Sequence, residues 1–264
     1  MAVEPLDVRT PNIARVYDYY LGGKDNYSVD RTAAKAMMQA APESVRAVRE
    51  NRRFLVRATD YLAREAGIRQ FLDIGSGLPT QQNVHEVAQA ATPDARVVYV
   101  DNDPIVVAHG QVLLATGANT AFVQADLREP QAILAHPEVT RQIDFGAPVA
   151  VLLVAILHFF PDGADPAGLV AELRSALAPG SHLVISHVTD HPSTRALQAV
   201  QTRSGARLWY PRTRPEIAAF FDGCTLVDPP GLTAVDQWNP ETPDPAGEPL
   251  WCDGAVAVLP PAGS

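Results

Sequence analysis

Cysteine is scarce in this chain, and clustered basic residues are missing. The 264 residues hold only Cys224 and Cys252, far apart and without close-spaced partners, which supports neither a disulfide framework nor a cysteine zinc site. With 21 Lys and Arg against 30 Asp and Glu, the formal net charge is −9, and no Lys/Arg run offers a stripe to a phosphate backbone. Nucleic acid is therefore not the expected partner. The most apolar segment, "VAVLLVAILHFF", is about twelve residues long, short of the roughly 20 that a bilayer span needs. The start, "MAVEPLDVRTPNIARVYD", has no basic region followed by an apolar one, so a cytoplasmic protein with no membrane partner is expected. Internal repeats and low-complexity tracts are also lacking.

At 47% hydrophobic and 19% charged, the chain has enough apolar residues to bury one large core or a core plus a modest appended element. Three helical signals precede the first strand signal. "TPNIARVYDYYLGG" places Thr10 as N-cap, Pro11 at the first helical position and Gly22 just past the end, with Ile13, Val16, Tyr17, Tyr20 and Leu21 on one face. A second helix is expected near 29–39. A third, from Pro42 to Gly67, has Val45, Val48, Leu55, Val56, Leu62 and Ala66 as its buried stripe. From Arg69 onward short apolar runs alternate with helical patterns, the signature of βαβ units: "RQFLDI", "RVVYVD", "TAFVQAD", "PVAVLLVAI" and "SHLVISHV" read as strands. Helices are expected near 81–91, 104–116, 130–135 and 166–178. "TLVDPP" and "GAVAVLP" complete seven strands, the last pairing antiparallel at an edge. The expected fold is α/β: an N-terminal helical cap, residues 1–67, followed by a Rossmann-like seven-strand, mostly parallel sheet, residues 68–264.

"FLDIGSGLPT" puts Gly75 and Gly77 after a buried strand and before a helix, where nucleotide ligands meet strand carboxyl ends. A dinucleotide fingerprint wants a third glycine where Thr80 stands, which disfavours an NAD-dependent oxidoreductase. Asp73, two residues before the first glycine, suits a ligand ammonium better than a pyrophosphate. That combination points to an amino-acid-bearing nucleoside; a tight turn with no ligand is the plain alternative. "VVYVDNDP" brings Asp101 to a strand end 24 positions past Gly77, a spacing that suits ribose hydroxyls, while Asp103 reads as the cap of the next helix. Asp126 in "VQADLRE" fits an exocyclic amine or, equally, a local cap.

These segments, with "VAILHFFPD", resemble the successive motifs of class I S-adenosylmethionine-dependent methyltransferases. "TPNIARVYDYYLGGKDNYSVDR", "RENRRFL" and "TQQNVHEVAQ" further resemble an actinobacterial family of S-adenosyl methyltransferases first catalogued as a domain of unknown function. The resemblance covers essentially the whole chain and names a cofactor, not a substrate. It implies that Asp73 and the backbone at Gly75 and Gly77 hold the methionyl end of S-adenosylmethionine, that Asp101 takes the ribose hydroxyls, that Asp126 with Leu127 flanks the adenine, and that Ser76 and Asn102 also lie at the cofactor. Val154, Ala155 and His158 would lie beside the reactive sulfur, and "AILHFFPD" differs from the common "LHHLPD" in having Phe159 for a second His.

The segment "YYLGGKDNYSVD" then has two readings: a lid whose Tyr20, Gly23 and Lys24 reach the cofactor, or a helix C-cap with a solvated turn. His158 is the candidate acid/base or orienting group, against a structural histidine. Tyr17, Tyr20 and Tyr27 line the acceptor pocket or belong to the core. "HVTDHP" groups His187, Asp190 and His191, but Pro192 argues against a helix that would align both rings, and no metal is expected. "RSGARLWYPRTRPE" offers Arg203, Arg207, Arg212 and Arg214 with Trp209 and Tyr210 to an acceptor, or is an ordinary loop. The expected activity is methyl transfer to a small molecule or modified peptide, with S-adenosylhomocysteine as product; a non-catalytic or repurposed cofactor-binding protein is the alternative.

Overall fold

A computed structural model describes residues 9–79, 82–113, 117–204, 206, 208–240 and 250–261. Thr80, Gln81, Arg207 and the last expected residues of the helix after Asp103 therefore lie outside the described residues.

Five parallel strands form the body of the sheet: β1 (Gln70–Ile74), β2 (Arg96–Asp101), β3 (Thr120–Gln124), β4 (Ala150–Val154) and β5 (His182–Val188). All five come from the expected runs. β1 and β5 are buried along their whole length, as a parallel sheet covered on both faces requires. Two short strands, β6 (Thr225–Leu226) and β7 (Thr233–Ala234), precede β8 (Cys252–Val258). The main path runs β3-β2-β1-β4-β5-β8-β6, with β7 paired to β8 off it. The sheet has eight strands where seven were expected: the two-residue β7 lies outside every expected run, and the place of β8 is a second departure. β8 is not at an edge: it is inserted antiparallel between β5 and β6, pairing β5 from His182↔Val258 to Val188↔Cys252. Its apolar alternation "GAVAV" carries no signal for which neighbours it has; the seven-residue register with fully buried β5 decides that.

The chain runs β1 to β2 to β3 in one direction and then starts again with β4 on the other side of β1. The strand order thus reverses between β1 and β4, and a crevice opens at their carboxyl ends.

Three helices precede the sheet: α1 (Ile13–Leu21), α2 (Ser28–Ala40) and α3 (Ser44–Arg64). The α1 cap is Asn12 rather than Thr10: its side chain accepts from the Ala14 and Arg15 N–H groups. Both residue types cap well, and Pro11 stays outside the helix. Asp30 on α2 holds α1 at two points, accepting from Arg15 Nε (2.8 Å, buried) and Asn12 N (2.9 Å), and closes the start of its own helix by accepting from Tyr27 N (2.8 Å). α3 is different from its two predecessors because it packs on the sheet. Phe54 is fully buried against Trp238 and below Gly254, where a Cβ would come within 2.9 Å of its ring. Arg57 donates to the carbonyls of Trp238 and Val235. The buried stripe is also rotated from the expected one. Val45, Val56 and Ala66 are half-buried, while Ala47, Asn51, Phe54 and Ala58 face inward.

The remaining helices are α4 (Val84–Ala91), α5 (Pro104–Leu113), α6 (Pro130–Leu134), α7 (Pro137–Gln142), α8 (Pro166–Ser175), α9 (Pro192–Ser204) and α10 (Arg214–Ala218). Among the described residues no helix is long and apolar enough to cross a membrane.

Candidate functional site

The crevice at the carboxyl ends of β1 and β4 is a cavity roofed by α1. Ten of the residues expected at a cofactor or catalytic site line it: Tyr20, Asp73, Gly75, Ser76, Gly77, Asp101, Asn102, Val154, Ala155 and His158. Gly23, Lys24, Asp126 and Leu127 are not among its lining residues.

The glycine loop after β1 is built for close backbone approach. Gly75 and Gly77 both have positive φ, 74° and 68°. A Cβ on Gly75 would meet the Ile156 side chain at 2.7 Å, whereas one on Gly77 would meet nothing within 4 Å. Between them the Ser76 hydroxyl is buried without a hydrogen-bond partner. At the mouth of a strand-end cavity, such a hydroxyl is available to a ligand group.

Asp73 is buried one residue before the end of β1. Burial pushes its carboxyl up to about 7, against the pull of the Arg52 guanidinium and with the push of Asp101. Asp101 is raised as well, mainly by burial. Its two oxygens accept from Gly77 N (2.9 Å) and Asp103 N (3.0 Å), so it pins the glycine loop to the end of β2. A carboxylate has about four acceptor sites, which leaves room for further hydroxyl donors. Asp103 takes the capping role, accepting from Ile105 N at 2.8 Å, and also receives Asn12 Nδ2 at 2.5 Å. That bond fastens the roof helix to the site. Asp126 stands apart. Arg128 and Asn102 both donate to it, and Arg128 above all holds its carboxyl far below the usual range.

Across the cavity, Ala155 directly follows β4 with φ 56°, a left-handed conformation that is strained for any residue with a Cβ. A chain of bonds holds it there. Ala155 N donates to Ser186 Oγ (2.9 Å), Ser186 Oγ to Asn51 Oδ1 (2.6 Å), Asn51 Nδ2 to Tyr17 Oη (3.0 Å), and Tyr17 Oη to the Val48 carbonyl (3.2 Å). The Tyr17 hydroxyl is pushed up to about 12 by burial, so it stays a neutral donor.

His158 is buried among the rings of Phe159, His187 and Trp209. His187 behind it belongs to the scaffold. Burial drives it down to about 4, its Nδ1–H donates to the Val188 carbonyl, and Arg212 donates to its Nε2. Of the "HVTDHP" trio, Asp190 is engaged by Arg195. Arg214 pairs with Asp253.

Several lining residues escaped the sequence reading: Asp18, Asn12, Asn51, Arg52 and Trp251. Asn51 carried a usable signal, as the one polar residue at a core position between Val48 and Leu55. Asp18 is buried on α1, accepts from Asp25 N (3.0 Å) and Asn26 Nδ2 (2.8 Å), and has a raised pKa, chiefly through burial. This explains the glycine pair. Gly22 closes α1 in the left-handed region, and a Cβ on Gly23 would lie 1.8 Å from Asp18 Oδ1. The polar cluster after the glycines folds back onto the helix. Tyr27 is exposed, beneath the Arg15 guanidinium.

The donor set fits S-adenosylmethionine: carboxylates for a ligand of net positive charge, one guanidinium, an uncovered glycine loop and an unpartnered buried hydroxyl. Comparison with known proteins agrees. The sequence matches the S-adenosyl methyltransferase family over residues 1–259. A solved structure of a candidate methyltransferase from Thermobifida fusca YX is 43% identical, with a TM-score of 0.92 over 98% of this chain and 100% of that one. A DUF574 family protein from Streptomyces avermitilis is 40% identical, with a TM-score of 0.91 over 96% and 99%. At 14% identity an O-methyltransferase family protein from Burkholderia thailandensis, TM-score 0.54 over 89% of this chain and 60% of that one, shares the fold alone. No protein of curated function matches. The fold is that of the class I methyltransferases, the cofactor is S-adenosylmethionine, and the chain belongs to the S-adenosyl methyltransferase family.

Proposed function

We propose that this chain catalyses methyl transfer from S-adenosylmethionine to a small molecule held between the glycine loop and the aromatic residues near β5 and β8. The observation that carries this reading is the convergence of Asp18, Asp73, Asp101 and Asp103 with one guanidinium, Arg52, on a single cavity at the β1/β4 reversal. The cofactor, when bound, supplies a methyl group on a positively charged sulfur, an electrophile that needs alignment more than activation. In this reading Asp73 and the loop of Gly75, Ser76 and Gly77 hold the amino-acid end. Arg52 offers a partner for its carboxylate. Asp101 takes the ribose hydroxyls while keeping the loop pinned. The relay from Tyr17 to Ala155 fixes the end of β4 and so sets the position of Val154 and Ala155 at the reacting centre.

His158 receives the proton that an acceptor hydroxyl or amine releases, or orients that group toward the methyl. α1 acts as the lid that excludes water, fastened by Asn12 to Asp103 and by Tyr17 to Asn51. Residues 9–40 form the cap in this scheme, and α3 belongs with the sheet. A cytoplasmic location suits both the cofactor and the two free cysteines. Nucleic acid remains an unsuitable acceptor for a chain of net charge −9.

Calorimetric titration with S-adenosylhomocysteine, with NAD as control, tests the cofactor site. Micromolar binding of the former alone is expected. Binding of NAD, or of neither by folded protein, would overturn the assignment.

A further inference from the structure

We propose that the methyl acceptor is an uncharged molecule built on a flat ring, seated in the half of the cavity under β5 and β8; this rests on the methyltransferase reading above. Sheet order divides the cavity. Asp101 ends β2, Asp73 lies in β1, Ala155 follows β4, Val188 ends β5 and Cys252 begins β8, and all five line the same space. Four strand spacings separate β2 from β8, about 19 Å. The strand-borne carboxylates occupy the β2–β1 side. The β5–β8 side is lined by Val188, Cys252, Trp209, Trp251 and Phe159, none of them charged.

Apart from His158, which faces the acceptor in the reading above, the side chains that carry hydrogen bonds near this half are committed to partners in the protein. Tyr17 and Asn51 bond each other, Asn51 takes the Ser186 hydroxyl, and the Trp251 ring N–H donates to Glu43. An acceptor rich in hydroxyls, or one bearing a charge, would lose its water here without replacement. What the walls offer instead is ring surface. Trp209 meets Trp251 at 5.9 Å between ring centres and His158 at 5.4 Å, both rings tilted against it. Aromatic walls of this kind favour offset or edge contacts with another ring. One donor is left over: the Trp209 ring N–H is buried without a partner, and an acceptor heteroatom would satisfy it.

The test uses the whole chain saturated with S-adenosylhomocysteine and ligand-observed NMR titration of catechol, indole and quinoline, against 3,4-dihydroxybenzoate as the charged counterpart and cyclohexanol as the non-aromatic one. At least one neutral ring should bind ten-fold or more tighter than the carboxylate and the aliphatic alcohol. Trp209→Ala should remove that binding and Trp209→Phe retain most of it, with S-adenosylhomocysteine affinity held within two-fold in both. Equal or tighter binding of 3,4-dihydroxybenzoate or cyclohexanol overturns the proposal, as does failure of all three rings to bind protein that holds S-adenosylhomocysteine. Should S-adenosylhomocysteine itself fail to bind, the cofactor assignment falls first and the acceptor proposal with it.

Discussion

Burial holds the Asp73 carboxyl up at about 7, Arg52 pulls it down, and Asp101 pushes it further up. The folded protein therefore keeps a proton that the unfolded chain releases near pH 4. Asp73 contributes to stability below about pH 4, and that contribution is lost as the pH rises to about 7. A ligand ammonium beside it favours the ionised form, so binding releases the proton. Affinity for S-adenosylhomocysteine should climb from pH 5.5 to 7 by up to roughly tenfold per unit and level off above, a slope that calorimetry should find abolished in Asp73→Asn. Asp101→Ala removes hydrogen bonds to a charged group and should weaken S-adenosylhomocysteine by about 1.5–3 kcal/mol in folded protein; unchanged affinity would remove it from the ribose site. His158→Ala should leave that affinity nearly intact and lower turnover on the true acceptor. At this scale the sequence is legible where chemistry sits at a strand end, as for Asp73, Asp101 and Ala155. It is illegible for Asp18 and Arg52, which reach the cavity only through the packing of α1 and α3. Asp126 is a strand-end carboxylate whose neighbour Arg128, two positions on, bonds both its oxygens, a pairing that its place at the strand end does not announce.

The element whose loss matters most to the cavity is α1, and its seat is the Arg15–Asp30 pair, with side chains 3% and 0% exposed. Asp30→Ala removes the carboxylate paired with a buried guanidinium and frees the N–H groups of Asn12 and Tyr27. A cost of about 3–5 kcal/mol is expected in denaturant unfolding, together with weakened S-adenosylhomocysteine binding. Deleting residues 1–28 should reduce the affinity in the same direction while leaving the sheet folded, as far-UV circular dichroism would show; retained full affinity would make the segment a structural arm rather than a lid. Helix positions were readable because caps and prolines mark them, yet the facing of α3 was not. Val48, Leu55 and Leu62 of the expected stripe are buried, but the inward face turns toward Ala47, Asn51, Phe54 and Ala58, and Phe54 meeting Gly254 and Trp238 fixes that facing.

For the molecule as a whole, a ligand that binds only the folded state stabilises it by mass action. At about 100 times its dissociation constant S-adenosylhomocysteine should add ~2.7 kcal/mol, a rise in melting temperature of roughly 5 °C or more at this chain length, whereas NAD should add nothing. The parallel body of the sheet was legible because each strand is a short apolar run between helical stretches. The place of β8 was not, because strand order is a property of the assembled sheet. That place has a consequence in time. β5 ends at Val188, and its partner on that side begins only at Cys252. The roughly 60 residues between them take a ribosome about 3–12 s to add, and throughout that interval β5 presents an apolar, unpaired edge to every other nascent chain nearby. The strand that completes the acceptor side of the cavity is thus also the one whose late arrival leaves the sheet exposed to mispairing during synthesis.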